Sequence, residues 1–75
     1  MIVKNKRTKE TLKLTLSEFK IQFQNEIETA LESFTRTEIA KPYFKANKPT
    51  EYDFDFDLQF NFNSFSNSVW YIERL

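Results

Sequence analysis

The 75-residue chain contains no cysteine, no histidine and no glycine. Without cysteine there is no disulfide framework, no thiolate metal site and no thiol nucleophile. Without histidine the side chain that titrates near neutral pH is missing, and with it imidazole acid–base chemistry and imidazole metal ligation. Without glycine the loops that cradle phosphates are excluded. Average usage of about 7% would supply about five glycines, so turns that need positive φ must use Asn, Asp or Lys at some steric cost. Long apolar runs are missing as well. No segment approaches the ~20 apolar residues of a membrane span, and residues 1–7 carry no apolar stretch of signal-peptide type. A cytoplasmic location away from the membrane is expected, with no cofactor and no metal.

What the chain has is aromatic area: nine Phe, three Tyr and one Trp. Each ring can bury about 150–250 Å². A chain this short forms one domain, residues 1–75, whose core supplies only about 3–5 kcal/mol of net stability. The rings therefore either build an unusually aromatic core or are partly exposed as a contact surface, and self-association into a homodimer would bury the surplus. Formal net charge is zero, with eleven bases and eleven acids. The balance hides an asymmetry: residues 1–23 carry six bases against two acids, and the remainder carries five against nine.

Residues 1–14 read as a β-hairpin, with Leu12 and Leu14 alternating with Thr11 and Lys13. Thr15 followed by Glu18 is a Thr-x-x-Glu capping box. Beyond it Leu16, Phe19, Phe23, Ile27, Ala30, Leu31 and Phe34 fall within about 60° of one line at 100° per residue. That predicts one long amphipathic helix over 15–41, ended by Pro42, and then a loop over 42–50. From Tyr52 to Asn63 the even positions are apolar and the odd positions polar, which predicts a strand over 51–63. A last strand is expected over 68–74. The expected fold is α+β in the order ββαββ, a four-stranded antiparallel sheet with the helix packed on one face. Its expected core is Leu14, Leu16, Phe19, Phe23, Ile27, Leu31, Phe34, Phe54, Phe56, Leu58, Phe60 and Phe62. Asn5, Asn47, Asn63 and Asn67 are expected to take the left-handed turn positions.

Three surfaces are candidates for function. Asp53, Asp55 and Asp57 would project from one face of the strand about 6.6–6.8 Å apart. They form either a solvated face paired with lysines, or, with Glu28 and Glu32 of the helix, an acidic face for a protein partner, or, joined by Glu51, Glu26, Glu28 and Glu32, a mimic of nucleic-acid phosphates. A strand spreads carboxylates too far for the converging oxygens a calcium site needs. Lys4, Lys6, Arg7, Lys9 and Lys13 concentrate in the hairpin, where they would either guard an edge strand or make 3–5 phosphate contacts, an estimate from their number. Ile21 and Ile39 lie about 140° from the helix core stripe, either as isolated exposed residues or as the frame of an apolar partner-binding face. Trp70 and Tyr71 point to opposite faces of the last strand, so that one of them is expected either at a binding surface or partly buried under the loop at 42–50. No group of residues assembles a catalytic site, so the chain is not expected to be an enzyme.

The length, the AT-rich codon pattern, the missing Gly and Cys, the row Asp53, Asp55 and Asp57 and the ββαββ order together resemble small proteins of phages and mobile elements. That resemblance implies an inhibitor of host defence of the anti-CRISPR type, acting in the cytoplasm of a bacterial host by occupying the surface of a nuclease complex. The expected function is thus a non-catalytic protein-binding module. The alternatives are a small RNA- or DNA-binding protein that uses the basic hairpin, and a structural homodimer.

Overall fold

The computed structural model describes residues 1–36 and 54–75. In chain order the elements are β1 (Ile2–Asn5), β2 (Thr11–Lys13), α1 (Leu16–Gln22), α2 (Gln24–Thr35), α3 (Leu58–Phe65) and β3 (Trp70–Arg74). The three strands form one antiparallel sheet in the order β2-β1-β3. The α+β class stands. Among the described residues, the four-stranded sheet and the ββαββ order are replaced by three strands and the helices α1, α2 and α3, with Phe54 and Asp55 helical as well.

The hairpin forms where its alternation placed it. Val3 pairs with Leu12, and the open end is closed by Leu14 N–H donating to the Met1 carbonyl at 2.9 Å. The turn solves the missing-glycine problem in a different place from the one expected. Asn5 stays extended in β1, and its side-chain oxygen accepts from the N–H groups of Arg7 at 2.8 Å and Thr8 at 3.0 Å. The left-handed position goes to Lys9, with φ of 64°. Asn67 takes the other one, φ 53°; Asn63 is helical, and Asn47 lies outside the described residues.

The capping box starts α1 as its residues require. Thr15 Oγ1 accepts from Glu18 N–H at 3.1 Å, and Glu18 Oε1 accepts from Thr15 N–H at 2.9 Å. The single helix expected over 15–41 breaks at Phe23, whose φ and ψ are −109° and 29°; the part beyond Arg36 lies outside the described residues. No proline or glycine marks the break. It falls at the residue whose ring reaches both α3 and β3, 6.3 Å from Phe62 and 5.3 Å from Trp70.

The larger correction concerns 51–63. Its first three residues lie outside the described part, and from Leu58 the chain is α-helical, not a strand. The pattern fits both periods. Within α3, Leu58, Asn61, Phe62 and Phe65 fall within about 60° of one helical line, and the first three are buried. Phe60 falls on the other side and is 51% exposed; Phe56, ahead of the helix, is 89% exposed, so neither belongs to the core, and Leu16 is 50% exposed. A strand over 51–63 would run about 40 Å. Beside partners of four and five residues, most of its ladder groups would have gone unpaired.

Instead α3 lies between α2 and β3 and serves the outer edge of β3 with side-chain amides. Asn63 Nδ2 donates to the Ile72 carbonyl at 2.8 Å, and Asn63 Oδ1 accepts from the Ile72 N–H at 2.7 Å. One turn earlier Gln59 Nε2 donates to the Glu73 carbonyl at 3.0 Å. The core beneath holds Val3, Phe19, Phe23, Ala30, Phe54, Leu58, Phe62 and Ile72. Phe62 meets Phe19 at 5.0 Å and Phe23 at 6.3 Å edge to face, an arrangement the aromatic quadrupole favours. Leu14, Ile27, Leu31 and Phe34 pack around them, partly buried.

Two outcomes are expected. Asn63→Leu leaves the Ile72 N–H without a partner and its carbonyl with only the longer 3.3 Å bond from Gln59 Nε2, and lowers stability by about 2 kcal/mol, read by urea unfolding together with faster amide exchange at Ile72. A loss below about 0.5 kcal/mol with unchanged protection would show that the edge does not depend on the amide, since surface changes away from special features stay in that range. Glu18, whose carboxylate accepts the Thr15 backbone N–H and is further linked to the Thr15 side chain, is held below its ordinary value of 4.5. Its folded-state value is depressed, so its contribution is complete above pH 4.5 and is lost as pH falls through the lower folded value. Glu18→Gln should flatten that acid limb of the stability curve, and an unchanged limb would assign it to other carboxylates.

Candidate functional site

Alternation along the short strands gives the sheet two different faces. Val3, Leu12, Trp70 and Ile72 belong to the core or pack against it. Ile2, Lys4, Thr11, Lys13, Tyr71 and Glu73 alternate with them and point the other way; none is in the core cluster. Register aligns them in rows. Lys4 stands opposite Thr11 on one side and Tyr71 on the other, and Ile2 stands opposite Lys13 and Arg74. The register slips by one between Ile2 and Val3. Across the slip Lys4 still reaches Glu73, Nζ to carboxylate 3.0 Å. Both side chains are more than a third exposed, so solvent screens this pair and it contributes roughly 0–1 kcal/mol.

Past the end of β1 the pairing continues, with Lys6 N–H donating to the Val69 carbonyl at 2.7 Å. The Lys6 side chain returns over the outer face and sets its ammonium 5.9 Å from the centre of the Tyr71 ring, a cation–π distance. Trp70 and Tyr71 thus separate as neighbours in a strand must. Trp70 enters the core against Phe23, and Tyr71 is the ring on the outer face. Arg7 and Lys9 extend the basic surface onto the exposed turn.

The asymmetry along the chain becomes an asymmetry in space. Residues 1–14 and 70–75 hold Lys4, Lys6, Arg7, Lys9, Lys13 and Arg74 against Glu10 and Glu73. The described helical parts, 15–36 and 54–69, hold Lys20 and Arg36 against Glu18, Glu26, Glu28, Glu32, Asp55 and Asp57. Side-chain charge is therefore +4 in the sheet part and −4 in the described helical part.

Of the expected acidic row, Asp55 and Asp57 do not stand on a strand. Asp57 caps α3, its side chain accepting from the Phe60 N–H at 3.3 Å. Asp55 pairs with Lys20 at 2.6 Å beside a depression of about 100 Å³, and Asp53 lies outside the described residues. Glu28 and Glu32 are exposed on α2, where Glu28 accepts from Gln24 and Glu32 pairs with Arg36 at 2.6 Å. Among the described residues no three acidic side chains gather to hold a metal ion. Of the apolar candidates, Ile21 is 79% exposed on α1, apart from Trp70 in the core, and Ile39 lies outside the described residues. Sequence reasoning found the five bases but missed Ile2, Thr11, Glu73 and Arg74 on and around their face. The signal was present in the alternation of the hairpin, which ties each outward residue to a partner once the register is known.

No family model, no curated protein and no solved structure matches this chain. No described helix is long and apolar enough to cross a membrane.

If Asp57 is a cap, then Asp57→Asn, which keeps an acceptor, should leave stability nearly unchanged, while Asp57→Ala should cost about 1 kcal/mol. Equal losses in the two variants, measured by thermal and urea unfolding, would remove the capping role.

Proposed function

We propose that this protein is a non-catalytic module that binds nucleic acid through the outer face of its sheet. The observation that carries this reading is the segregation of charge: six bases against two acids in the sheet part, around the partly buried Tyr71. A phosphate backbone is the polyanion such a face complements, and lysines in place of counterions give an affinity that falls with salt. The expectation of an inhibitor docking on a nuclease drew its charge complementarity from the acidic row. With Asp55 and Asp57 engaged elsewhere, the basic face is the better supported surface.

The test is binding of a labelled oligonucleotide of about 20 nucleotides, followed by anisotropy between about 50 and 200 mM salt. With three to four phosphates neutralised, log K should fall with log salt at a slope of about −2 to −3. Lys6→Glu combined with Lys13→Glu should weaken binding in proportion and flatten the slope by about one or more. No binding at about 50 mM salt, where such contacts are strongest, overturns the proposal. So does a stoichiometric protein partner that binds the charge-reversed variant as tightly as the parent, which would place the contact on the exposed apolar residues Ile21, Phe56 and Phe60.

A further inference from the structure

We infer that the nucleic acid taken by this face is single-stranded, with one base stacked on Tyr71 and an adjacent phosphate held by Lys6. This rests on the reading above and names its ligand class. Three features of the face carry it.

The first is shape. Three strands spaced about 4.8 Å apart make a face roughly 10 Å wide, and four residues of β1 make it roughly 13 Å long. Reading a duplex requires an element that enters a groove, and the major groove admits a helix or a two-stranded ribbon. Here the described helices meet the core on the opposite side, and the β1–β2 ribbon is held in the sheet by β3 along its other edge. Its outward side chains can lie against a backbone but do not reach paired base edges. Unpaired bases can instead turn toward the face.

The second is the ring. Tyr71 belongs to the outer face and Trp70 is committed to the core. An aromatic ring on a basic surface is a stacking platform that any base can use. The third is the position of the cations around it. Lys6 lies over the ring, and Lys4 is its cross-strand neighbour, about 5 Å away at the Cβ atoms. A base arriving on Tyr71 would displace the Lys6 ammonium toward the phosphate next to that base, exchanging one favourable contact of this lysine for a stronger one. Thr11, in line beyond Lys4, adds a hydroxyl within the same row.

The experiment compares a single-stranded oligothymidylate of about 12 nucleotides with a duplex of the same length at one salt concentration, a length within the site sizes of small single-strand binders. It uses the parent chain, Tyr71→Leu and Tyr71→Phe. Tyr71→Leu should weaken single-strand binding about 5- to 100-fold, and Tyr71→Phe, which keeps the π-face, should stay within about twofold of the parent. Parent tyrosine fluorescence should be quenched on saturation. Duplex binding should be weaker and change less than about twofold in either variant, since phosphate contacts do not use the ring. Circular dichroism identifies a variant that has lost its fold, and Tyr71→Phe tests the ring without removing it. Equal binding of strand and duplex, insensitive to Tyr71→Leu in a folded protein, overturns the single-strand inference and leaves a phosphate-binding face. No binding of either overturns both.

Discussion

The fold depends on how the outer edge of β3 is satisfied. A three-stranded sheet has two edges, and an edge left in a packed environment with unpaired N–H and carbonyl groups is costly. Here β2 is one edge, short and flanked by the exposed cations Lys9 and Lys13. The other is β3, and among the described residues no fourth strand is paired with it. The Asn63 amide presents a donor and an acceptor in the arrangement of a peptide group and bonds both polar groups of Ile72. One side chain does locally what a neighbouring strand would do. Because it projects from α3, the bond also fixes where that helix lies, and with it the position of Phe62 against Phe19. The buried amide of Asn61 acts in the same way on the chain before the helix, donating to the Phe54 carbonyl at 2.7 Å.

This arrangement is why the segment that looks most like a strand is not one. Apolar residues at every second position also contain every fourth, so 58 and 62 share a face at either period. Phenylalanine favours strands and asparagine does not favour helices, so local preference argued for the wrong element. Position 61 was the clue. A strand would have turned Asn61 toward solvent, whereas a helix places it beside Leu58 and Phe62, where it is 5% exposed and bonded. That choice is made by tertiary hydrogen bonds, which no pattern of hydrophobicity records. By contrast the hairpin, the capping box and the last strand were legible, because each is decided by residues within a few positions of one another. The basic cluster was legible as a composition of the hairpin. Its flat face with Tyr71 was not, since the face exists only once β3 lies beside β1.

Loss of the long strand also redistributes the acids. On a strand, Asp55 and Asp57 would have shared a face with each other and stood near the lysines of the sheet. As a helix cap and the partner of Lys20, they sit in the helical part with Glu28 and Glu32. Among the described residues, the acids that share the sheet part with the hairpin lysines are Glu10 and Glu73. The same switch from strand to helix that closes the β3 edge therefore leaves the sheet face basic.

Zero net charge does not weaken the case for a polyanionic ligand once distance is considered. At physiological ionic strength the Debye length is about 8 Å. α2 packs on α3 and makes no direct contact with the strands, so its exposed acids stand roughly a helix diameter, about 10–12 Å, or more from the outer face of the sheet. A phosphate touching Lys6 or Lys13 is close to those cations and more than a screening length from Glu28 or Glu32. It experiences the local surplus, while the neutral total governs only encounter from afar. Steering by long-range field should accordingly be slight for this protein, and what salt modulates is the affinity of the contact itself. Charge summed over a chain describes its solubility and approach; charge sorted onto a face describes what can rest there.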